Sequence, residues 1–447
     1  MKTDVIVIGS GPGGSSVAKR CAKAGKKVVI ADRLFGGVCA LRGCTPKKAM
    51  ESVTSAYWKA KDMEKAGFPT LSEAIDWSKL AAHKSKFTTT VPAKTKSNFK
   101  EAGIRVIEGT AELIDPNTVV VDGKKIIAET IVIATGAKPR HIDIPGNEYM
   151  LNNDQFFALD NITNHVTIIG GGYIAFEFAH IMAACGVHVT ILSNEEMPLG
   201  AFDPDLVNNL IQATLAKGVD VKLGYEAISI EHVEGEYIVK SKRSDGETFD
   251  FKAGLVIHAA GRVPNIDKLG LDNLKIKLNN RGGIETNKFL QISNHPNIYA
   301  LGDVTGKLPF TEIASYEAKI VTHNILEKRR KSVDYTGMPI GVFTYPSLCM
   351  VGKTEEELKK EKVDYLVMAS SNRSSFTERV HLNTFARYKT LVHKNNNKIL
   401  GASLIGIHAE EVINLYAMAI QQGITATNFN SQLFQYPTAG NSAKYFL

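Results

Sequence analysis

The start of the chain decides the fold, because residues 4–14 read DVIVIGSGPGG. The apolar run predicts a buried strand, and the glycines after it predict a tight turn that leads into a helix. Gly9, Gly11 and Gly14 have the spacing that lets a pyrophosphate approach the backbone at the N-terminus of that helix. The stretch therefore predicts the first half of a nucleotide-binding βαβ unit.

A second apolar run at residues 28–30 follows the predicted helix and leads to Asp32. An acidic residue about 20 positions after the glycines is the expected partner of a ribose hydroxyl. A glycine-rich structural turn is the alternative interpretation. The strand, the helix and the acid together favour nucleotide binding.

The same pattern returns about 160 residues later, as an internal repeat. Apolar runs at residues 166–169 and 189–192 flank the stretch GGGYIAFEFA, in which Gly170 and Gly172 open the motif. Ala175 takes the third glycine position, which the fingerprint tolerates because alanine is nearly as small. The chain is therefore predicted to contain two Rossmann-like units.

In the second unit, Ser193 occupies the position where an NAD-binding protein carries its ribose-binding acid. Asn194, Glu195 and Glu196 follow it, and no arginine is present there to bind a 2′-phosphate. Since two carboxylates would repel such a phosphate, the sequence slightly favours NADH over NADPH.

Two cysteines lie directly after the first unit, in the segment GGVCALRGCTPKK at residues 36–48. In an ideal helix, residues five apart have Cα atoms roughly 8.6 Å apart, beyond the roughly 7 Å that a disulfide allows. The segment is therefore predicted to bend between Cys39 and Cys44. Gly43 and Pro46 supply the means for that bend.

Arg42, Lys47 and Lys48 surround the cysteine pair with positive charge, which should lower a thiol pKa and stabilise a thiolate. A redox-active pair is therefore predicted. A zinc site would need further Cys or His ligands at characteristic spacing, and two inert buried cysteines are the remaining alternative. The three other cysteines lie among apolar neighbours and are predicted to be core residues: Cys21, Cys185 and Cys349.

Composition indicates a globular protein, with 44% apolar and 22% charged residues and a modest net charge of +7. The one dense basic run, at residues 328–331, is interpreted as a solvated helix end, because no basic stripe interleaved with aromatics accompanies it. The first strand begins too early for a signal peptide, and no apolar run reaches the roughly 18 residues that span a bilayer. We therefore expect a cytoplasmic protein without a nucleic-acid or membrane partner.

Taken together, these motifs resemble those of the glutathione reductase, dihydrolipoamide dehydrogenase and mercuric reductase family, along essentially the whole chain. GSGPGG is similar to the family's FAD fingerprint, GGVCALRGCTPKK to its disulfide motif, and GGGYIAFEFA to its pyridine-nucleotide fingerprint. IATG at residues 133–136 and AAGR at residues 259–262 resemble its crossover strands between domains. IYALGD at residues 298–303 resembles the strand whose aspartate binds the FAD ribityl chain.

The resemblance implies FAD and NAD(P)H as cofactors and assigns roles to single residues. Cys44 would be the charge-transfer thiolate that faces the flavin, and Cys39 the interchange thiol that meets substrate. Lys47 would lie at flavin N5, paired with Glu177, and Tyr173 would gate the nicotinamide pocket. The last two could instead be a helix-face acid and a packing aromatic. Further cofactor-binding positions are expected in the crossover and ribityl strands: Thr135, Gly136, Gly261, Arg262, Gly302 and Asp303.

A chain of 447 residues exceeds the roughly 250 to 300 residues at which single cores stop growing. Near residue 336 the pattern changes to strand-like segments followed by a helix-like stretch, which is typical of an α+β domain. We predict an α/β fold with two Rossmann-like domains and a C-terminal α+β dimerisation domain. The predicted ranges are 1–148 and 271–335 for FAD, 149–270 for NAD(P)H, and 336–447 for the interface.

The C-terminal segment departs from the glutathione and lipoamide enzymes, which carry a His-Pro-Thr motif with a Glu five residues after the His. Here Tyr436 replaces the histidine and Asn441 replaces the glutamate. A tyrosine, with a pKa near 10, is a poor base at neutral pH. The resemblance to a homodimeric family implies that Tyr436 would come from the other subunit.

The residues QLFQYPT at 432–438 resemble mercuric reductases, but the chain ends AKYFL and lacks their C-terminal cysteine pair. Related enzymes, including hypothiocyanous acid reductases, reduce small oxidants. Hypothiocyanous acid suits this sequence because a thiolate attacks it directly and its leaving group needs little help from a histidine. A low-molecular-weight disulfide and Hg(II) are the alternative substrates, and a flavin-bound redox sensor is the alternative of another class.

Overall fold

Strand, glycine turn and helix follow one another in both predicted nucleotide-binding units, and runs of consecutive strands make up much of the rest of the chain. The computed structural model describes residues 1–327 and 330–447. The basic run at 328–331, predicted to be a solvated helix end, includes Lys328 and Arg329, which lie outside the described residues. The helix that precedes this run ends at Leu326.

The strands, in chain order, are β1 Lys2–Ile8, β2 Val28–Asp32, β3 Arg105–Glu108, β4 Ala111–Asp115, β5 Thr118–Val121, β6 Lys124–Ile133, β7 Ala137–Pro139, β8 Met150–Leu151, β9 His165–Ile169, β10 His188–Ser193, β11 Asp220–Leu223, β12 Tyr225–Val233, β13 Glu236–Arg243, β14 Thr248–Ala253, β15 Leu255–His258, β16 Arg262–Pro264, β17 Gln291–Ile292, β18 His295–Ala300, β19 Pro339–Val342, β20 Ser347–Gly352, β21 Tyr365–Ser371, β22 Arg387–His393 and β23 Ile399–Gly406.

The α-helices are α1 Pro12–Lys23, α2 Gly37–Arg42, α3 Cys44–Met63, α4 Trp77–Thr88, α5 Val91–Glu101, α6 Asn153–Phe156, α7 Tyr173–Ala184, α8 Pro204–Leu215, α9 Thr311–Leu326, α10 Glu355–Lys360, α11 Phe376–Val380, α12 Ala409–Gln421, α13 Ala426–Asn430 and α14 Ala439–Ser442.

One compact unit comprises Met1–Ala49, Ala82–His141 and Gly261–Asp334. Its main sheet has the order β17-β18-β6-β1-β2-β3, and β1 runs parallel to both β2 and β6. Residues of β1 alternate between two cores, Val5 and Val7 in one and Ile6 and Ile8 in the other. Burial on both faces of the sheet explains the continuous apolar run of β1. The glycine turn follows at the carboxyl end of β1, the edge at which parallel sheets bind their ligands.

A second compact unit comprises Met50–Ala81, Ile142–Ala260 and Tyr335–Leu447. It contains a parallel sheet of order β11-β10-β9-β15-β8, an antiparallel sheet β12-β13-β14, and an antiparallel sheet β19-β20-β23-β22-β21. The helix α7 is apolar on nearly all sides and buried along most of its length. A helix of this kind is a core element, so residues on α7 are held rigidly.

The α/β fold class, with Rossmann-like units and a C-terminal α+β region, is confirmed. The predicted boundaries of the three domains stay a prediction. Within the described ranges, no helix is both long enough and apolar enough to cross a bilayer.

Candidate redox-active site

The first glycine turn has no room for side chains where the strand meets the helix. Gly9 has φ +104°, and a Cβ on it would lie 2.3 Å from the carbonyl oxygen of Ala134. A Cβ on Gly14 would lie 2.0 Å from the Gly9 carbonyl oxygen. Gly11 is the N-cap of α1 and has no side chain to cover the first turn. The backbone N–H groups at such a helix start can bind a phosphate.

Asp32, the last residue of β2, is held in place by the glycine turn. Its Oδ2 accepts hydrogen bonds from the Ser10 N–H at 2.6 Å and the Ser10 hydroxyl at 2.7 Å. Ser10 Oγ in turn accepts the Gly36 N–H at 3.0 Å. The predicted ribose acid is therefore positioned at the end of its strand, and the same serine connects it to the segment that carries the cysteines.

The segment before the cysteines packs directly on the glycine turn. Gly37 has φ +72°, and a Cβ on it would lie 2.4 Å from the Cα of Gly11. Since two backbones meet here without side chains between them, the start of α2 is fixed against the phosphate-binding turn.

The bend predicted between the two cysteines is present at Gly43. Cys39 lies on α2, which ends at Arg42, and Cys44 is the first residue of α3. Gly43 separates the two helices with φ −143° and ψ −113°. The break allows the two thiols to approach each other, as a continuous helix would not. Cys39 is half-buried, and Cys44 is exposed.

Thr311, the first residue of α9, completes the surroundings of the pair. Its hydroxyl lies 3.4 Å from Cys44 Sγ. The hydrogen bond with the Cys44 sulfur, together with burial, raises the pKa of the Cys39 thiol, and the Thr311 hydroxyl opposes that rise. Cys39 is therefore the protonated member of the pair, and its S–H donates a hydrogen bond to the Cys44 sulfur. The positive end of the α9 dipole favours a negative sulfur at this place.

Gly302 and Asp303 lie in a 3₁₀ turn directly after β18. The Gly302 N–H donates to the carboxylate of Glu317 on α9 at 2.6 Å, which fixes the turn. Burial raises the pKa of Asp303, and the Arg262 guanidinium opposes that rise. A half-buried carboxyl in this position is suited to accept a hydrogen bond from a ligand hydroxyl.

The crossover residues of the same unit come together in the β7–β16 ribbon. The Thr135 hydroxyl donates to the Asn265 carbonyl oxygen at 2.7 Å, and the Asn265 N–H donates to the Gly136 carbonyl oxygen at 2.9 Å. Arg262 donates to the Ala137 carbonyl oxygen, and the Gly261 carbonyl oxygen accepts the Arg140 N–H at 3.0 Å. The two crossover segments are therefore hydrogen-bonded to each other.

In the second unit, Gly170 and Gly172 form the turn between β9 and α7, and Gly172 is the N-cap of α7. Tyr173 is the first residue of α7 and remains 39% exposed, so its ring is available to a ligand. Ser193, at the end of β10, is fully buried, and its Oγ hydrogen-bonds with the backbone N–H and carbonyl of Glu195 at 3.2 Å.

Lys47 and Glu177 are both buried charged residues. Lys47 lies on α3, one turn after Cys44. Glu177 lies on α7, one turn after Tyr173, and its Oε1 accepts the Phe343 N–H at 2.9 Å. They belong to different compact units, so their pairing stays a prediction.

Tyr436 lies near the C-terminus and is 70% exposed. Its ring centroid is 6.1 Å from that of Phe376, and both residues line a cleft of about 320 Å³. Asn441, which occupies the position of the family's glutamate, donates from its side chain to the Phe434 carbonyl oxygen at 3.3 Å. That contact makes Asn441 part of the packing of its own segment.

The other cysteines differ in exposure. Cys21 and Cys349 are buried core residues, whereas Cys185 is half-buried at the C-terminal end of α7. Burial raises the pKa of Cys21 to about 11 and that of Cys185 to about 12. Thiols with such pKa values are protonated at neutral pH and unreactive.

Sequence reasoning did not identify Thr311 or Glu317. Thr311 follows Cys44 by 267 residues, so only the tertiary fold brings the two together. Only a local feature of the sequence could have indicated Thr311: it begins a helix with apolar periodicity soon after the predicted ribityl strand. The residues present fit an FAD molecule, because the bare glycine turn, the ordered Asp32 and the half-buried Asp303 are the groups that its pyrophosphate, ribose and ribityl chain require.

The sequence matches known families over nearly its whole length. Residues 3–318 match the family described as pyridine nucleotide-disulphide oxidoreductase, and residues 338–445 match the dimerisation domain of that family.

Three similar proteins cover almost all of the chain. The glutathione reductase of Burkholderia cepacia is 31% identical over 97% of this chain and 96% of its own. The dihydrolipoyl dehydrogenase of Geobacillus stearothermophilus is 31% identical over 99% of this chain and 95% of its own. Among solved structures, the HOCl-induced flavoprotein disulfide reductase RclA from Escherichia coli is 29% identical, with a TM-score of 0.89 over 99% of this chain and 98% of that chain.

Proposed function

Because the chain belongs to the pyridine nucleotide-disulphide oxidoreductase family, we propose that it reduces a small reactive oxidant, with hypothiocyanous acid as the leading substrate. Membership confirms the resemblance drawn from the motifs. The protein is an FAD-dependent oxidoreductase that takes electrons from NAD(P)H and acts on sulfur groups.

The substrate proposal depends on one combination of features: the thiol site is exposed, and the C-terminal segment carries a tyrosine where related enzymes have a histidine. Tyr436 is largely exposed and carries a phenol where related enzymes carry an imidazole, so it can position a ligand but lacks the histidine's acid–base chemistry. The pair keeps its own proton on Cys39. The best substrate is therefore one whose leaving group can depart without a general acid other than the pair itself.

We assign the chemical steps to the pair as follows. Cys39 passes its proton to the Cys44 sulfur and, as a thiolate, attacks the sulfur of hypothiocyanous acid. The S–O bond breaks, and the departing hydroxide leaves as water with the proton that Cys44 has accepted, so Cys44 becomes a thiolate again. Cys39 then carries a thiocyanate. The Cys44 thiolate attacks Cys39, thiocyanate leaves as a stable anion, and the disulfide forms. Two electrons from NAD(P)H, relayed by FAD when it is bound, restore both sulfurs.

The remaining residues have positioning roles in this proposal. Thr311 and the N-terminus of α9 stabilise the Cys44 thiolate. Lys47 would provide a positive charge near flavin N5, with Glu177 as its partner, and Tyr173 would close the nicotinamide pocket. Tyr436 would reach the pair of the other subunit in a homodimer, which the dimerisation domain supports.

Similarity to RclA supports an oxidant substrate, since that protein is described as an HOCl-induced flavoprotein disulfide reductase. Similarity to a glutathione reductase makes a low-molecular-weight disulfide the second candidate. The two candidates differ in the acid catalysis that they need, because cleavage of glutathione disulfide releases a basic thiolate.

The test compares the two substrates by acceptor-dependent NAD(P)H oxidation, corrected for direct reaction of oxidant with NAD(P)H. Without a histidine, the enzyme lacks an acid-catalysis factor of about 10² to 10⁴ for the disulfide. We expect kcat/KM for hypothiocyanous acid to exceed that for glutathione disulfide by at least about 10²-fold. Tyr436→Phe should lower it only modestly, and Tyr445→Phe in the same cleft is the matched control. Equal or better turnover of the disulfide would contradict the proposal, and no turnover of any acceptor would favour a redox sensor.

A further inference from the structure

The two nucleotide-binding units can be compared residue by residue, because their backbones share one register. The Gly9 N–H donates to the Ala31 carbonyl oxygen, and the Gly170 N–H donates to the Leu192 carbonyl oxygen, each at 2.8 Å. The residue after each acceptor ends its strand. Ser193 is therefore the structural counterpart of Asp32, whose carboxylate is placed for a ribose.

Ser193 differs from Asp32 in what its side chain can reach. It is 0% exposed, and its hydroxyl hydrogen-bonds with the backbone of Glu195. A Cβ on Gly171 would lie 2.4 Å from that hydroxyl, so the serine fills the space behind the glycine turn. Ser193 therefore shapes the turn, and a ribose must be met by the residues that follow it.

The residues that follow are two exposed glutamates in a fixed turn. The Glu195 carbonyl oxygen accepts the Gly224 N–H at 3.3 Å, which ties the turn to the start of β12. Glu196 Oε1 accepts the Ser244 hydroxyl at 2.7 Å. A Cβ on Gly224 would lie 2.4 Å from the same carboxylate oxygen, so Glu196 is packed against backbone. Two negative charges are thus held at the carboxyl end of β10.

The sequence on both sides of these glutamates contains no basic residue other than histidine. Between Arg140 and Lys217 the chain has neither lysine nor arginine, although it contains 53 of them in 447 residues. The same stretch contains nine acidic residues: Asp143, Glu148, Asp154, Asp160, Glu177, Glu195, Glu196, Asp203 and Asp205.

The basic residues that follow this stretch in the same unit mostly contact other side chains. The Lys217 ammonium lies over the rings of Trp58 and Tyr345, at 4.6 and 5.2 Å from their centroids. Arg243 hydrogen-bonds to Asp245 at 2.8 Å and to Glu247 at 2.6 Å. Lys222 on β11 lies in register with Leu192 on β10, so it contributes one positive charge near the strand end that the two glutamates follow.

We propose that this chain uses NADH in preference to NADPH, with Glu195 accepting hydrogen bonds from the adenosine ribose and Glu196 repelling a 2′-phosphate. A carboxylate can accept from a ribose hydroxyl, whereas a phosphate dianion has no proton to donate and is repelled. The proposal rests on the NAD(P)H dependence of the proposed function and is independent of its oxidant.

Binding of two nucleotide fragments tests the proposal without any oxidant. 5′-AMP and 2′,5′-ADP differ only in the 2′-phosphate, and calorimetry with the FAD-loaded enzyme measures both affinities. We expect 5′-AMP to bind at least about tenfold more tightly, since like charges in contact are strongly unfavourable. The ratio of kcat/KM for NADH to that for NADPH should exceed one by a similar factor.

A double variant, Glu195→Gln with Glu196→Gln, removes the repulsion of the 2′-phosphate and weakens the ribose contact. It should lower both the 5′-AMP to 2′,5′-ADP affinity ratio and the NADH to NADPH kcat/KM ratio by about tenfold. The matched control is Glu234→Gln with Glu236→Gln, which removes two exposed charges near the β12–β13 turn of the same unit and should change neither ratio. Tighter binding of 2′,5′-ADP would overturn the NADH preference. An unchanged ratio in the Glu195–Glu196 variant, or binding of neither fragment, would overturn the assignment of these residues. If the enzyme did not reduce hypothiocyanous acid but still bound 5′-AMP more tightly than 2′,5′-ADP, only the proposed oxidant would be overturned.

Discussion

At the scale of single residues, the chemistry of the pair depends on which sulfur holds the proton. The Cys39 thiol has a raised pKa because it shares a hydrogen bond with Cys44 and is partly buried. Cys44, at the start of α3, has the Thr311 hydroxyl 3.4 Å from its sulfur. The two cysteines are therefore chemically different before any substrate arrives, and substitution should separate their roles.

Cysteine variants test these roles by absorption spectroscopy. Reduction by NAD(P)H should produce a long-wavelength band from the Cys44 thiolate beside the flavin, and Cys44→Ser should abolish it. Cys39→Ser should show the band without reductant, because its partner thiolate can no longer form a disulfide, and turnover should be lost. Full activity of Cys39→Ser would refute its assignment as the interchange thiol.

Removal of the Thr311 hydroxyl should make the thiolate harder to form. We expect Thr311→Val to raise the pKa for alkylation of the pair by about one unit, which corresponds to about 1.4 kcal/mol. The rate of iodoacetamide labelling as a function of pH measures this shift. Ser315→Ala removes a hydroxyl that donates to the Thr311 carbonyl oxygen on the same helix, so it serves as the control. An unchanged pH profile in Thr311→Val would show that the hydroxyl does not stabilise the thiolate.

At the scale of elements, short helix α11 is fastened by a buried carboxylate. Glu378 accepts the Ile407 N–H at 3.1 Å and the Asn383 amide, and burial raises its pKa to about 7. Since the folded pKa lies above the unfolded value of 4.5, the folded state binds the proton more tightly. The resulting stabilisation is complete below pH 4.5 and disappears as the pH rises through 7.

Glu378→Gln should remove this pH dependence. The wild-type free energy of unfolding should contain a Glu378 contribution that falls by about 2 kcal/mol between pH 5 and pH 7.5, and the variant should lack it. Urea denaturation at fixed protein and FAD concentration measures the difference. Carboxylates with lowered pKa values, such as Asp205 and Glu355, act in the opposite sense but below this window. Parallel curves for wild type and variant would contradict the prediction.

The elements of the nucleotide-binding units could be predicted from the sequence because strand, glycine turn and helix are adjacent along the chain. The bend between Cys39 and Cys44 followed from helix geometry and the Cα distance that a disulfide allows. Of the two residues predicted to supply it, Gly43 separates the helices, whereas Pro46 lies within α3. Contacts such as Thr311 with Cys44, or Glu317 with Gly302, could not be predicted, since they join elements far apart in sequence. The burial of Ser193 could not be predicted either, because Leu199 returns to the glycine turn, where its N–H donates to the Gly171 carbonyl oxygen.

At the scale of the whole molecule, the dimerisation domain presents large apolar side chains to solvent. Leu433 is fully exposed, and Met418, Tyr436 and Tyr445 are each more than half exposed. All four lie in the segment that matches the family's dimerisation domain. A second copy of the chain is the partner expected to cover them.

Leu433→Glu should convert the proposed homodimer to a monomer, because a charge would be buried in its interface without a partner. Size-exclusion chromatography with light scattering measures the mass. Phe68→Glu, which changes an exposed phenylalanine outside the dimerisation domain, should leave the dimer intact. A wild-type monomer, or a dimeric Leu433→Glu variant, would contradict the prediction. Activity should fall with the dimer if Tyr436 acts on the partner's thiols.

The contact between Gly11 and Gly37 limits how the redox segment can move. Since a single methyl group would not fit between these backbones, the start of α2 cannot shift without disturbing the phosphate-binding turn. Closing and opening of the disulfide must then proceed by rotation of the cysteine side chains about a stationary main chain. Amide hydrogen exchange at residues 37–43 should accordingly be the same in the oxidised and reduced enzyme, so that each catalytic cycle leaves the cofactor cradle undisturbed.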